Sequence, residues 1–369
     1  YDNENVIHTI EGRDYFDNVQ SATVTVVEHN FRAADMIGTV IAENVIGEKI
    51  AVNDYAAQMS DENNWTKSGN TYTIKLEYPV DANYSFDYEY CDLAKNAVAD
   101  YEADMFTVDT TAPENLEVKY STSVMEKVLE TITFGYYNAK MQVTISAEDV
   151  VAGVHYFVYS YLKNEGVSEV NRELLNDVIE DANENITHDG KKATTSFTIP
   201  KDVLVYDYQF NGIVEFTAFD RAENNNKKVD NTVIIVDNIN PVAQITYNEP
   251  VQQANGISYY AGNIDAKIVI QEANFYAEDV IVTITKDGLS YASNVTWVDN
   301  SVDIHTGTFT LTEDGDYIVT VKYIDRSTNE METYVSNRLT LDTKQPTINV
   351  SNIVMNSANK DERYPFTIT

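Results

Sequence analysis

The chain of 369 residues sets 25 basic against 59 acidic side chains, for a net charge of −34, and contains one cysteine. That acidity repels phosphate and excludes nonspecific nucleic-acid binding, a lone cysteine excludes an internal disulfide framework, and no run approaches the ~18 apolar residues of a membrane span. The length suits two or three domains, each large enough to bury a core.

Taken in chain order, alternation with a period of two predicts half-buried antiparallel strands at 22–26, 72–76, 84–90, 212–218 and 317–323. Turn signals separate them at Ser68-Gly69-Asn70, Asp189-Gly190, Asp287-Gly288 and Asp314-Gly315. A weak helical pattern sits at 54–59. A stronger one is predicted over 168–181, where Val170, Leu174, Leu175, Val178 and Ile179 fall at helical spacing behind a capping Ser168. Tyr1 opens in mid-sequence and Phe366-Thr367-Ile368-Thr369 is strand-like, so a fragment of a longer protein is expected.

Three turns share the form Asp-x-x-x-Asn: 92–96, 220–224 and 325–329. Each turn aspartate is followed 17 residues later by a second aspartate, Asp109, Asp237 or Asp342, in a linker that carries Pro113, Pro241 or Pro346. A fixed offset inside a variable period marks a repeated structural unit. Asn and Asp bind nearby amides in turns, and proline ends strand pairing. The fold expected is all-β: tandem immunoglobulin-like sandwiches at 1–112, 113–240 and 241–345, the second with the helical insertion, and the start of a fourth module or terminal strands at 346–369. An aromatic pair opens each module, Tyr15-Phe16, Tyr136-Tyr137 and Tyr259-Tyr260, and Tyr364 is placed to open the fourth. Modules one and three are the closer kin: Glu28-His29-Asn30-Phe31 matches Glu272-Ala273-Asn274-Phe275, Trp65 and Trp297 recur in register, and Tyr84 and Tyr317 head equivalent strands. Module two has Ala147-Glu148-Asp149-Val150-Val151-Ala152-Gly153 instead.

These strings, the Asp-x-x-x-Asn turns and the Asp-Thr-Thr-Ala-Pro linker at 109–113 resemble the bacterial immunoglobulin-like (Big-type) repeats of cell-wall-anchored surface proteins from Gram-positive, notably gut clostridial, bacteria. The glycine usual in the turn is replaced by Lys95, Glu223 and Thr328. The resemblance implies surface display and binding to host molecules, including glycoproteins and immunoglobulins, and the net charge of −34 suits a self-repelling, monomeric, extended array.

The chemistry of the residues points away from catalysis. The five histidines are scattered without metal spacing, no nucleophile elbow or phosphate-cradling loop occurs, and Cys91 aligns with hydrophobic Phe219 and Ile324, as a packed thiol does. No enzyme is expected. Calcium is the cofactor to consider: Asp109, Asp237 and Asp342 lie at module junctions near the turn acids Asp92, Asp220 and Asp325, and hard oxygen ligands there would stiffen the array. The alternative is that each linker aspartate caps a strand end. For partner binding, the outer face of the predicted helix offers Glu169, Glu173, Asp177 and Glu180, and loop-like stretches offer Tyr206, Tyr208 and Tyr291, since tyrosine is enriched at recognition surfaces. The leading expectation is non-catalytic adhesion to a host glycoprotein, with immunoglobulin the sharpest partner guess. Against it stand a structural stalk that projects a head elsewhere in the parent protein, and an accessory module of a carbohydrate-active enzyme.

Overall fold

The alternating run Thr71–Tyr78 buries Ile74, Leu76 and Tyr78 on one face and leaves Lys75 and Glu77 in solvent, as the pleat of a half-buried strand requires. It pairs antiparallel with Gln20–Val27 and Thr66–Ser68 to form one sheet. The facing sheet runs in the order His8–Ile10, Arg13–Phe16, Asp104–Val108, Ala82–Tyr90, Met36–Glu43. Between them lie Phe16, Leu76, Tyr78, Tyr84 and Phe106, all fully buried. The computed structural model describes residues 5–98, 104–122, 135–164, 172–174, 186–199, 209–351 and 367–368. The chain divides into two compact units, Tyr1–Asn238 and Ile239–Thr369.

The first unit holds a second sandwich. One sheet is ordered Tyr136–Tyr137, Asn225–Asp237, Gln209–Asp220, Val154–Asn164, Arg172–Leu174, and the other Thr187–Asp189, Lys192–Ile199, Met141–Glu148, Glu114–Thr122. Its core is built on Met141, Ile145, Phe157, Val214 and Phe216. In the second unit a third sandwich packs Ile264, Ile268, Leu311, Tyr317 and Tyr323 between its sheets. There Val350–Ser351 also pairs antiparallel with Thr367–Ile368.

Two recurring features make these sandwiches immunoglobulin-like. The opening aromatic pair of each module runs parallel to that module's last strand: Tyr15 opposite Thr107, Tyr136 opposite Ile235, Tyr259 opposite Thr340. All other strand pairs among the described residues are antiparallel. In the first and third sandwiches a tyrosine near the start of the penultimate long strand turns its hydroxyl back to a carbonyl four residues upstream. Tyr84 donates to Val80 O at 2.7 Å and Tyr317 to Glu313 O at 2.6 Å, the corner found in this fold.

The repeated turn closes as its sequence demands. In each, the aspartate accepts the amide of the asparagine four residues on and also its side-chain N–H. The residue where glycine is usual takes a left-handed backbone anyway: φ is 70° at Lys95, 65° at Glu223 and 73° at Thr328. For β-branched Thr328 this is a strained state.

The short helix expected near 54–59 is present as Tyr55–Ser60, with Asp54 accepting from Ala57 N–H. It lies on the strand at Gly38, where any Cβ would overlap the Met59 side chain. The helix expected over 168–181 is not borne out where the chain is described. Arg172–Leu174 is a strand that pairs antiparallel with 162–164, Leu174 opposite Leu162, which puts Glu173 in a sheet ladder. An isolated helix of that length is marginal in water, whereas a hairpin extension of the long strand Val154–Asn164 satisfies its backbone groups at once. The remainder of that segment, with Glu169, Asp177 and Glu180, lies outside the described residues. So do Tyr206, Tyr208 and Tyr364.

Candidate functional site at the first junction

The junction between the first two sandwiches, inside the first unit, is built around linker residue Asp109. Its strand, Asp104–Val108, delivers it at the end of the first sandwich, where its amide donates to Phe16 O at 2.9 Å. Its side chain accepts from Thr111 N at 3.0 Å and, across the junction, from Ala152 N at 2.7 Å. Ala152 belongs to the loop that follows the strand Met141–Glu148. That loop is folded by Asp149, which accepts from Val151 N and from Gly153 N at 2.6 Å. The third participant is the Asp220 turn. Asn224 donates from its side chain to Asp109 O at 2.8 Å, and Arg221 donates to Ala152 O at 2.6 Å. The first sandwich contributes further: Val45 N–H binds Val150 O, and the Asn83 side chain binds Val151 O. Tyr15, Ala152 and Ala222 form a small apolar seal beside these bonds.

Carboxylate oxygens of Asp109, Asp149 and Asp220 all lie within 4.8 Å of one another, and all three residues are buried. Burial raises every one of their pKa values. Asp220 is pushed up to about 7, with the charge of Asp149 adding to desolvation. Asp109 is raised by burial and then by Asp149. Asp149 is raised by burial against the opposing pull of the Gly153 and Val151 amides. Three ionised carboxylates in so small a volume repel strongly, so neutrality there comes from shared protons or from a cation. The donor set is all hard oxygen and matches what calcium prefers.

Of the expected calcium residues, the structure therefore places Asp109 in a carboxylate cluster, but with different neighbours. Asp92, the turn acid of its own module, is not part of that cluster. The turn aspartate comes instead from the following module. Asp237 is buried and accepts from Gln209 at 3.2 Å. Asp342 is exposed and caps its own linker, accepting from Lys344 N at 3.0 Å. Asp149 was not among the expected residues, although a signal existed. It directly follows the strand Met141–Glu148, as Glu28 follows Gln20–Val27 and Glu272 follows Ile264–Gln271. All three accept the amide two residues on.

Several of the described tyrosines serve cores. Tyr78, Tyr84, Tyr317 and Tyr323 are fully buried. Tyr291, expected in an exposed loop, is instead half-buried in the short strand Leu289–Tyr291, edge-on to Tyr317 at 5.3 Å. Trp65 is buried and donates to Met59 O, and Trp297 covers Gly307 of the neighbouring strand.

No protein-family model matches the chain, and no curated protein does. Among solved structures, the full ectodomain (Ig1–Ig3) of mouse nectin-like molecule 4 aligns over 90% of this chain and 98% of that one, with 13% identity and a TM-score of 0.34. Among the described residues, no helix is long and apolar enough to cross a membrane.

Proposed function

We propose that this chain is a structural segment of an extracellular surface protein, a run of immunoglobulin-like sandwiches that holds a functional head of its parent at a set position. One observation carries this reading: hydrogen bonds cross the first junction from both sides, shielded wholly or in part from water. Asn224 grips the Asp109 carbonyl, Asp109 grips the Ala152 amide, and Asn83 grips the Val151 carbonyl. A linker that served only as a tether would leave these groups to water. The resemblance to cell-wall-anchored repeats of Gram-positive bacteria supports surface display.

The adhesive reading, with capture of a host glycoprotein or immunoglobulin, rests on that same resemblance and on residues of which only Glu173 and Tyr291 are described. One is in a sheet ladder and the other is half-buried in its own sandwich. A pull-down from host serum and mucosal secretions separates the two. Clean beads from the folded chain are expected. Saturable capture of one dominant protein would replace the structural reading with the adhesive one.

A further inference from the structure

His8, His155 and Glu223 meet beside the first junction, outside the aspartate cluster. One imidazole nitrogen from each histidine and one carboxylate oxygen lie within 4.8 Å of one another. Three separate elements deliver them. His8 heads the edge strand His8–Ile10 of the first sandwich. His155 falls at a bulge in Val154–Asn164: Val154 pairs with Asp220 and Tyr156 with Phe219, so His155 has no residue opposite. Bulges re-aim side chains in this way and recur next to functional sites. Glu223 occupies the left-handed position of the Asp220 turn.

The contacts among them are incomplete for a purely structural cluster. Glu223 meets His8 Nε2 at 2.7 Å with one oxygen and accepts the Tyr156 hydroxyl at 2.8 Å with the other. The two imidazoles stand edge to face, with centroids 5.3 Å apart. His155 Nδ1 is shielded from solvent and makes no hydrogen bond. A His8–Glu223 ion pair accounts for two of the residues and leaves the buried nitrogen unexplained.

We propose that His8, His155 and Glu223 form a site for a borderline transition-metal ion, zinc foremost, with water completing its coordination. Two imidazole nitrogens and one carboxylate oxygen are a zinc donor set, and three protein ligands leave one position open. Zinc takes histidine nitrogen at ~2.0–2.1 Å, so binding draws the three side chains inward and replaces the His8–Glu223 hydrogen bond. The Tyr156 hydroxyl fixes the Glu223 carboxylate from behind, the outer support that metal ligands commonly have. Burial, then His8 and Arg221, disfavour positive charge at His155, and Glu223 supplies the compensating negative charge. At the equivalent turn positions stand Lys95 and Thr328, which offer no comparable ligand. The site thus belongs to this junction and not to the repeat. It does not depend on the chain being a structural segment.

The test uses the whole chain without an affinity tag, stripped with chelator and titrated with zinc by calorimetry near neutral pH, with cobalt absorption reporting coordination. One equivalent is expected to bind and to raise the melting temperature. His8→Ala, His155→Ala and Glu223→Gln should each weaken binding by at least about tenfold, and Tyr156→Phe by roughly tenfold, while His29→Ala leaves it unchanged. Glu223→Gln keeps the size and hydrogen-bonding shape of the side chain, so melting of the metal-free variant separates a lost ligand from a lost fold. Absence of binding, or unchanged affinity in folded His155→Ala and Glu223→Gln, would overturn the proposal.

Discussion

The side-chain amide of Asn224 donates to Asp220 within its own turn at 2.9 Å and to the backbone carbonyl of Asp109, in the preceding linker, at 2.8 Å. One residue thus closes a hairpin in the second sandwich and ties that hairpin to the first. The same turn in the first sandwich has Asn96, which makes the local bonds to Asp92 and is exposed.

The pair makes a matched comparison. Asn224→Ala should cost about 1–3 kcal/mol, because it strips a partner from the Asp109 carbonyl and from a buried carboxylate. Asn96→Ala should cost under about 1 kcal/mol, since water replaces what it removes. Denaturant melts of the two variants check this, and equal losses would show that the cross-junction bond contributes nothing.

Asp220 gives the junction a pH dependence whose sign is fixed. Its folded pKa is about 7, against roughly 3.9 for an unfolded aspartate. Between those values the native state holds the proton more firmly, so stability falls as pH rises from about 4 toward 7. The full effect is on the order of a few kcal/mol. His155 and His188 carry pKa values lowered by burial and act in the opposite sense, with stability rising as pH climbs toward 6.5. The clean measurement is therefore the difference between wild type and Asp220→Asn in chelator, which should grow in favour of the variant from pH 5 to pH 8. A flat difference would contradict it. Millimolar calcium that abolishes the slope in wild type would identify a cation, not a proton, as the balancing charge.

Thr328 offers a gain rather than a loss. Its φ of 73° costs a β-branched residue about 1–2 kcal/mol relative to glycine, partly offset by the greater chain entropy of glycine when unfolded. Thr328→Gly should stabilise the third sandwich by about 0.5–1 kcal/mol, and Lys95→Gly should stabilise the first by less. Thermal melts of the single variants decide. Destabilisation by Thr328→Gly would mean that its side chain contributes more than its backbone strain removes.

Much of this architecture could be read from the residues. Alternation at 72–76 and 317–323 gave strands because burial on one face of a pleat imposes that period, and the recurring Asp-x-x-x-Asn strings gave turns because their bonds are local. The opening aromatic pairs were visible as landmarks, although their parallel pairing with each last strand was not, since it joins residues about a module apart. The segment at 168–181 misled because helical spacing of apolar residues is a local signal. At Arg172–Leu174 the pairing with residues 162–164 overrides it. The junction was half legible. Spacing marked Asp109 and Asp220, but which turn reaches which linker is a long-range fact, and Asp149 hid in a string noted only for its difference. The two histidines escaped for the same reason: His8 lies 215 positions from the Glu223 it touches.

The most direct test of the structural reading is the distance between the first two sandwiches in solution. Spin labels at Thr25→Cys and Ser196→Cys, both exposed strand positions, in a Cys91→Ser background report it by pulsed electron resonance. A single narrow distance distribution is expected, broadening when the cross-junction bonds are removed together by Asn224→Ala and Asn83→Ala. A broad distribution in the parent chain would show a flexible tether and contradict it.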